Sequence, residues 1–151
     1  MAARRPRGVA EPAATVLYWD TSAIVSALFR DAHSEKASKL AREPGLHMLS
    51  SLAWAETQAI IAKAERERAV TGLLGDAARE LLEHGPWRRT NVVPDWTFAL
   101  QFSRKWPLRG ADLWHLAAAR TLQVELPELR VISFDERLRT AAAGEGLAAS
   151  A

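Results

Sequence analysis

The sequence predicts an α/β layered domain built on a central parallel sheet of four to five short strands. Three observations carry this expectation. Short runs of β-forming residues alternate with longer stretches of helical periodicity. Aspartate or serine stands directly after several of the short runs, where a helix N-cap is needed. Glycine and proline punctuate the far ends of the helical stretches. Strands that alternate with helices pair in parallel through helical crossovers, so the helices cover the sheet in layers.

The elements follow in order. Residues 1–14, with Arg4-Arg5-Pro6-Arg7-Gly8 and then Glu11-Pro12, lack periodicity and read as a loose tail, which leaves residues 15–151 as a single domain. Val16 to Trp19 is an apolar, β-forming run, followed by Asp20-Thr21-Ser22 as capping groups for a helix over Ala23–Phe29. A second helix spans His33–Arg42 and ends at Glu43-Pro44-Gly45. Leu46–Leu49 is the second strand, and Ser50 or Ser51 caps a helix that runs to about Arg68. Residues 70–84 form the next helix, stopped near Gly85-Pro86. Arg89–Val93 is the expected third strand, ended by Pro94, with Asp95 capping a helix to about Trp106. A helix from Ala111 to about Gln123, a strand over Leu129–Ser133 and a helix over Glu136–Ala143 complete the pattern. The alanine-rich segment Leu147–Ala151 is a weak fifth strand that the sequence leaves open.

Composition narrows the class. At 151 residues, with 48% hydrophobic and 25% charged residues, the chain can bury about two-thirds of its unfolded surface as one domain. No apolar run approaches the roughly 18 residues of a membrane span, and no apolar segment follows the arginines of the N-terminus as in a secretory signal. The chain has no cysteine, which excludes disulfides, thiolate metal sites and thiol nucleophiles and suits a cytoplasmic protein. The net charge is only +2 although 16 of the 20 basic residues are arginine. That balance permits a nucleic-acid partner without requiring one.

Four acidic residues stand where a carboxylate is locally out of place. Asp20 and Asp135 each follow a predicted strand, and two strand-end aspartates of a parallel sheet project toward the same edge, where ligands of open α/β sheets bind. Each also suits the N-cap of the helix that follows. Glu56 falls, at 100° per residue, among Leu52, Ala55, Ala59 and Ile60 on what reads as the buried face of its helix, unless it pairs with Lys63 or Arg66. Asp112 opens a helix after Gly110, where a plain cap is the simple reading; His115, three residues on, shares its face. A buried carboxylate is costly unless paired or bound to a cation, so the convergence of all four implies a hard divalent ion. The histidines have no zinc spacing, the serines no nucleophile elbow and the glycines no phosphate-cradling loop. Six tryptophans are read mainly as core or dimer-contact residues.

The order Trp19-Asp20-Thr21-Ser22, Leu52-Ala53-Trp54-Ala55-Glu56, Gly110-Ala111-Asp112-Leu113-Trp114-His115 and Ser133-Phe134-Asp135-Glu136-Arg137-Leu138 resembles the PIN domain, and more narrowly the VapC-type toxin ribonucleases. The resemblance spans roughly residues 15–140. It implies a three-layer α/β/α fold and a Mg²⁺- or Mn²⁺-dependent endoribonuclease. It also implies a homodimer neutralised by a cognate antitoxin. Asp20, Glu56, Asp112 and Asp135 match the family's acidic positions. Ser22 and Ser133 match its small hydroxyl residues, and His115 stands where the family often carries a histidine. In this reading Asp20 and Asp112 bind the principal ion, Glu56 and Asp135 bind a second ion or orient water, and Ser22 and Ser133 hydrogen-bond the ligands. Arg109 is the candidate phosphate contact.

Three other readings remain open at this point. A haloacid-dehalogenase-like phosphatase also begins on a strand-end aspartate but requires a second aspartate two residues on, where this chain has Ser22. An RNA-processing nuclease of the same fold would lack an antitoxin. A catalytically idle interaction module would keep only the fold.

Overall fold

The computed structural model describes residues 15–149; the expected tail over residues 1–14 and the last two residues lie outside the described residues. Four strands form one parallel sheet: β1 (Val16–Trp19), β2 (Leu46–Ser50), β3 (Trp87–Thr90) and β4 (Leu129–Ile132), in the order β3-β2-β1-β4. Between and after them lie α1 (Thr21–Leu28), α2 (Ser34–Ala41), α3 (Ser51–Arg66), α4 (Gly72–His84), α5 (Trp96–Lys105), α6 (Gly110–Gln123) and α7 (Glu136–Gly144).

Side chains along a strand point alternately to its two faces, and both faces of this sheet are covered. Val16, Tyr18, Leu129 and Val131 pack with Phe102 of α5, Leu116 of α6 and Leu138 of α7. Leu17, Trp19, Leu49 and Ile132 pack with Ile24 of α1, Ala37 of α2, Ala53 of α3 and Leu82 of α4. The result is a three-layer α/β/α sandwich, with β1 buried along its whole length. A tight backbone approach at a positive φ is found at Gly45, which has φ +137° and would place a Cβ 2.3 Å from the carbonyl oxygen of Thr15. No side chain fits there, and Leu46 N donates to that same oxygen at 2.8 Å to set the β1–β2 register.

Helix starts are fixed by the residues that follow strands or turns. The side chains of Asp20, Ser50, Thr71, Asp95 and Asp135 each accept from a backbone N–H in the first turn of α1, α3, α4, α5 and α7. The open question of a fifth strand resolves to a single parallel bridge between Val131 and Ala148 at the outer edge of β4. Among the described residues, no helix is long and apolar enough to cross a membrane.

Three local expectations need correction. The third strand runs over Trp87–Thr90 rather than Arg89–Val93. Trp87 anchors it in the core and pairs with His47. The hydroxyl of Thr90 then accepts from Val92 N, which turns the chain out of the ladder ahead of Pro94. In α3, Ala55, Ala59 and Ile60 are exposed, and the buried stripe is Ala53, Thr57 and Ile61. Glu56 therefore borders the buried stripe instead of interrupting it. Asp112 does not cap α6: the helix begins at Gly110 with Arg109 in the cap position and no side-chain cap bond. Of the tryptophans, Trp19 and Trp87 are core residues, whereas Trp96 is 87% exposed.

Candidate active site

The register of the sheet builds the first corner of the site. Trp19 lies opposite Leu49 and Ile132, so Asp20 leaves the carboxyl end of β1 between the ends of β2 and β4. Asp20 N donates to Ile132 O at 3.1 Å, which carries the strand pairing one residue past β1. The Asp20 carboxylate is buried and held from three directions. Ala23 N donates to it at 2.9 Å, Ser133 Oγ at 2.5 Å and Ser22 Oγ at 2.8 Å. Those hydroxyls are themselves fixed, because Phe134 N donates to Ser22 Oγ and Asp135 N to Ser133 Oγ, both at 3.0 Å. Burial still pushes the Asp20 carboxyl above the usual carboxylate range, against the hydrogen bonds from Ser133, Ala23 and Ser22 that favour its charge.

Glu56 reaches the site from α3. Its Oε1 accepts from Thr21 Oγ1 at 2.8 Å and lies 3.2 Å from His115 Nε2. The hydrogen bond with His115 holds its carboxyl below the usual range, ahead of the opposing effect of burial. The alternative pairing with Lys63 or Arg66 does not occur; Lys63 pairs weakly with Glu67. His115 is buried in α6, and its other ring nitrogen, Nδ1, lies 2.7 Å from Tyr18 Oη. Tyr18 was not foreseen as a site residue. A tyrosine inside an apolar strand run reads as a β former and a core residue, and nothing in the local pattern sets it apart.

Asp112 and Asp135 complete the acidic set. Asp135 caps α7, accepting from Leu138 N at 3.0 Å. Asp112 lies in the first turn of α6, where the helix dipole favours an anion, yet its carboxyl is pushed upward. Burial is the largest cause and the charge of Asp135 the next, with Glu56 adding to it and His115 and Arg109 opposing. Among the described residues Asp112 accepts no hydrogen bond, and none of Asp20, Asp112 and Asp135 is in an ion pair with lysine or arginine. Arg109 is exposed at the start of α6, within electrostatic reach of Asp112.

The four acids thus meet around one edge of the sheet, but not as a finished metal cage. Among the described residues no three His, Asp or Glu side chains are grouped to hold an ion. The reason is visible in their partners: Asp20, Glu56 and Asp135 are turned toward donors of the protein, and only Asp112 is uncommitted. The donor set nevertheless fits a hard divalent cation. The candidate donors are all carboxylate oxygens, the uncompensated charge is negative, and Mg²⁺ characteristically takes one or two carboxylates and keeps several waters. A cavity of about 390 Å³ lies to the side, lined by Lys36, Ser133, Phe134 and Arg139 among others and by none of the four acids. The phosphatase reading loses its footing here, since Ser22 occupies the second position and donates to Asp20 instead of supplying a carboxylate.

Comparison with known proteins agrees with this geometry. The family model described as PIN domain matches residues 17–144. Two ribonucleases of Mycobacterium tuberculosis, VapC45 and VapC49, are each 35% identical over 136 residues, covering 87% of this chain and 92% of theirs. Among solved structures, Mycobacterium tuberculosis VapC20, a toxin that cleaves the sarcin-ricin loop, superposes with a TM-score of 0.57 at 18% identity, over 83% of this chain and 94% of that one. A chain of VapBC2 from Rickettsia felis, solved bound to a DNA fragment of its promoter, gives 0.50 at 14% identity, over 78% and 98%. At those identities the structures speak for the fold, and the curated relatives for the subfamily. With an acidic edge at the carboxyl ends of β1 and β4, a PIN-domain match over most of its length and VapC relatives at this identity, the chain belongs to the PIN-domain family, among its VapC-type ribonucleases.

Proposed function

We propose that this protein is an endoribonuclease that hydrolyses RNA phosphodiester bonds with Mg²⁺ or Mn²⁺, and that it is the toxin of a toxin–antitoxin pair. The observation that carries the reading is the meeting of Asp20, Glu56, Asp112 and Asp135 at one sheet edge in a chain of this family. Asp20 and Asp112 are the ligands of the principal ion, with Glu56 and Asp135 serving a second ion or a bound water. When bound, such an ion lowers the pKa of a coordinated water and neutralises charge that develops on the phosphate. The protein's own residues supply the rest. Ser22, Ser133 and Ala23 N hold the Asp20 carboxylate in one orientation, so no reorganisation is needed as the reaction proceeds. Thr21 and His115 do the same for Glu56. Arg109, exposed beside Asp112, is placed to contact a substrate phosphate.

The partners in this reading are an RNA substrate, a cognate antitoxin and a second copy of the chain, in the cytoplasm. Residues 1–14 form an extension and residues 15–151 the nuclease domain. The relatives named VapC and the VapBC2 neighbour support the antitoxin.

The test is cleavage of single-stranded and structured RNAs by wild type and Asp20→Asn. Cutting should require Mg²⁺ or Mn²⁺, stop with EDTA, and fall at least about a hundredfold in the variant, as expected for losing several kcal/mol of transition-state stabilisation. Equal activity in Asp20→Asn would sink the mechanism.

A further inference from the structure

We infer that Tyr18 is a positioning residue of the active site, acting through His115 to hold Glu56. The inference rests on the nuclease reading above for its consequence, but on hydrogen-bond geometry for its substance. Tyr18 Oη lies 2.7 Å from His115 Nδ1, and His115 Nε2 lies 3.2 Å from Glu56 Oε1, which also accepts from Thr21 at 2.8 Å. Tyr18 and His115 are both buried, at 0% and 2% exposure, so neither has water as a substitute partner.

The directions of the bonds follow from chemistry. A phenol, with an ordinary pKa of about 10, carries its proton at neutral pH, and among the described residues the only hydrogen-bond partner of the Tyr18 hydroxyl is the ring of His115. Its O–H therefore donates to His115 Nδ1. That leaves Nε2 as the protonated nitrogen, aimed at an ionised carboxylate that only accepts. One line of donors thus runs Tyr18, His115, Glu56, each polarising the next. Tyr18 fixes both the tautomer and the plane of the imidazole. The imidazole fixes one oxygen of Glu56 and leaves the other for the reaction. The ring is also held edge-on, with its centroid 5.8 Å from that of Tyr18 and 5.6 Å from that of Trp114, so rotation out of line is sterically opposed.

Two measurements test this, one of them independent of catalysis. In metal-free protein, long-range ¹H–¹⁵N correlation should find His115 as the Nε2–H tautomer. In Tyr18→Phe its Nδ1 resonance should move toward that of a free, unprotonated ring nitrogen. A ring protonated at Nδ1, or an unmoved Nδ1 resonance in the variant, overturns the proposal even if RNA is cleaved. In the nuclease assay Tyr18→Phe should lower kcat by about tenfold with KM unchanged, the scale of one lost hydrogen bond. His115→Gln, which keeps a donor near the Nε2 position, should retain more activity than His115→Ala. Adding Tyr18→Phe to His115→Gln should then cost less than about twofold, because the residue through which it acts is gone. A Tyr18→Phe variant as active as wild type, or one whose loss is the same in the His115→Gln background, overturns the role. If wild type cleaves no RNA the nuclease reading falls, while the tautomer measurement still decides the hydrogen-bond line.

Discussion

Asp20 and Asp112 are both carboxylates pushed above their ordinary range mainly by burial, yet they stand in opposite conditions. Asp20 is gripped by a backbone N–H and two serine hydroxyls, each held in turn by the β4–α7 turn. Asp112 accepts no hydrogen bond among the described residues and faces the charge of Asp135. The first is a preorganised group whose surroundings have been built around its charge. The second is a group whose charge is left for something else to neutralise. The contrast separates what the fold supplies from what a ligand must bring, and it makes the two residues respond differently to the same perturbations.

The largest expected effect is on the uncommitted side. If a cation completes the site, Mn²⁺ at about a hundred times its Kd should stabilise wild type by about 2.7 kcal/mol, read as a rise of several degrees in Tm by calorimetry. Asp112→Asn should remove most of that rise. An undiminished rise in the variant would take Asp112 out of the binding set. Next comes the gripped side. Asp20→Ala uncaps α1 and strands the hydroxyls of Ser22 and Ser133, so metal-free protein should lose about 1–2 kcal/mol in urea unfolding. A neutral result there would mean that relief of the buried charge outweighs the lost bonds.

Asp112→Asn should do the reverse in metal-free protein, gaining about 0.5–1 kcal/mol at neutral pH. The gain is small because Asp112 is only partly buried and water screens its charge. The smallest effect is the pH dependence of this gain. A carboxyl raised in the folded state adds stability below its unfolded pKa and loses it as pH rises through the folded value. Wild type therefore weakens relative to Asp112→Asn on going from acid toward neutral pH, in a window that opens above the ordinary value of 3.8. Glu56 is lowered, so its contribution is lost only as pH falls through its folded pKa, below the ordinary value of 4.5. It is common to both proteins and cancels in the comparison. Urea midpoints across the range that do not converge on acidification would break the assignment.

Much of this was legible from the chain because strand ends and caps are local signals. An apolar run followed by aspartate placed Asp20 and Asp135 at one sheet edge, and parallel pairing did the rest. Glu56 was found for an incomplete reason. The face Leu52, Ala55, Ala59 and Ile60 is the more hydrophobic by composition, but α3 buries Ala53, Thr57 and Ile61, a stripe in which threonine hides the pattern. β3 was placed late because Trp87, its anchor, sits directly after Pro86, whereas Val92 and Val93 imitate a strand beyond the bend at Thr90. Tyr18 carried no sequence signal at all. Its partner is 97 residues away, and only the packing of α6 on the sheet brings them together.

The pairing of the first strand with the last has a consequence for synthesis. Ser133 and Asp20, which share a hydrogen bond, are 113 residues apart in the chain, and β4 is the strand laid directly beside β1. As the polypeptide emerges from the ribosome, β1, β2 and β3 can assemble while the edge of β1 that will receive β4 is still bare. Closure waits for the longest-range contact of the sheet, the kind that forms slowly because the loop it closes is large. An unfinished chain therefore carries Asp20 without Ser133, Asp135 or the turn that orients them. Translation itself delays the moment at which the molecule becomes chemically competent.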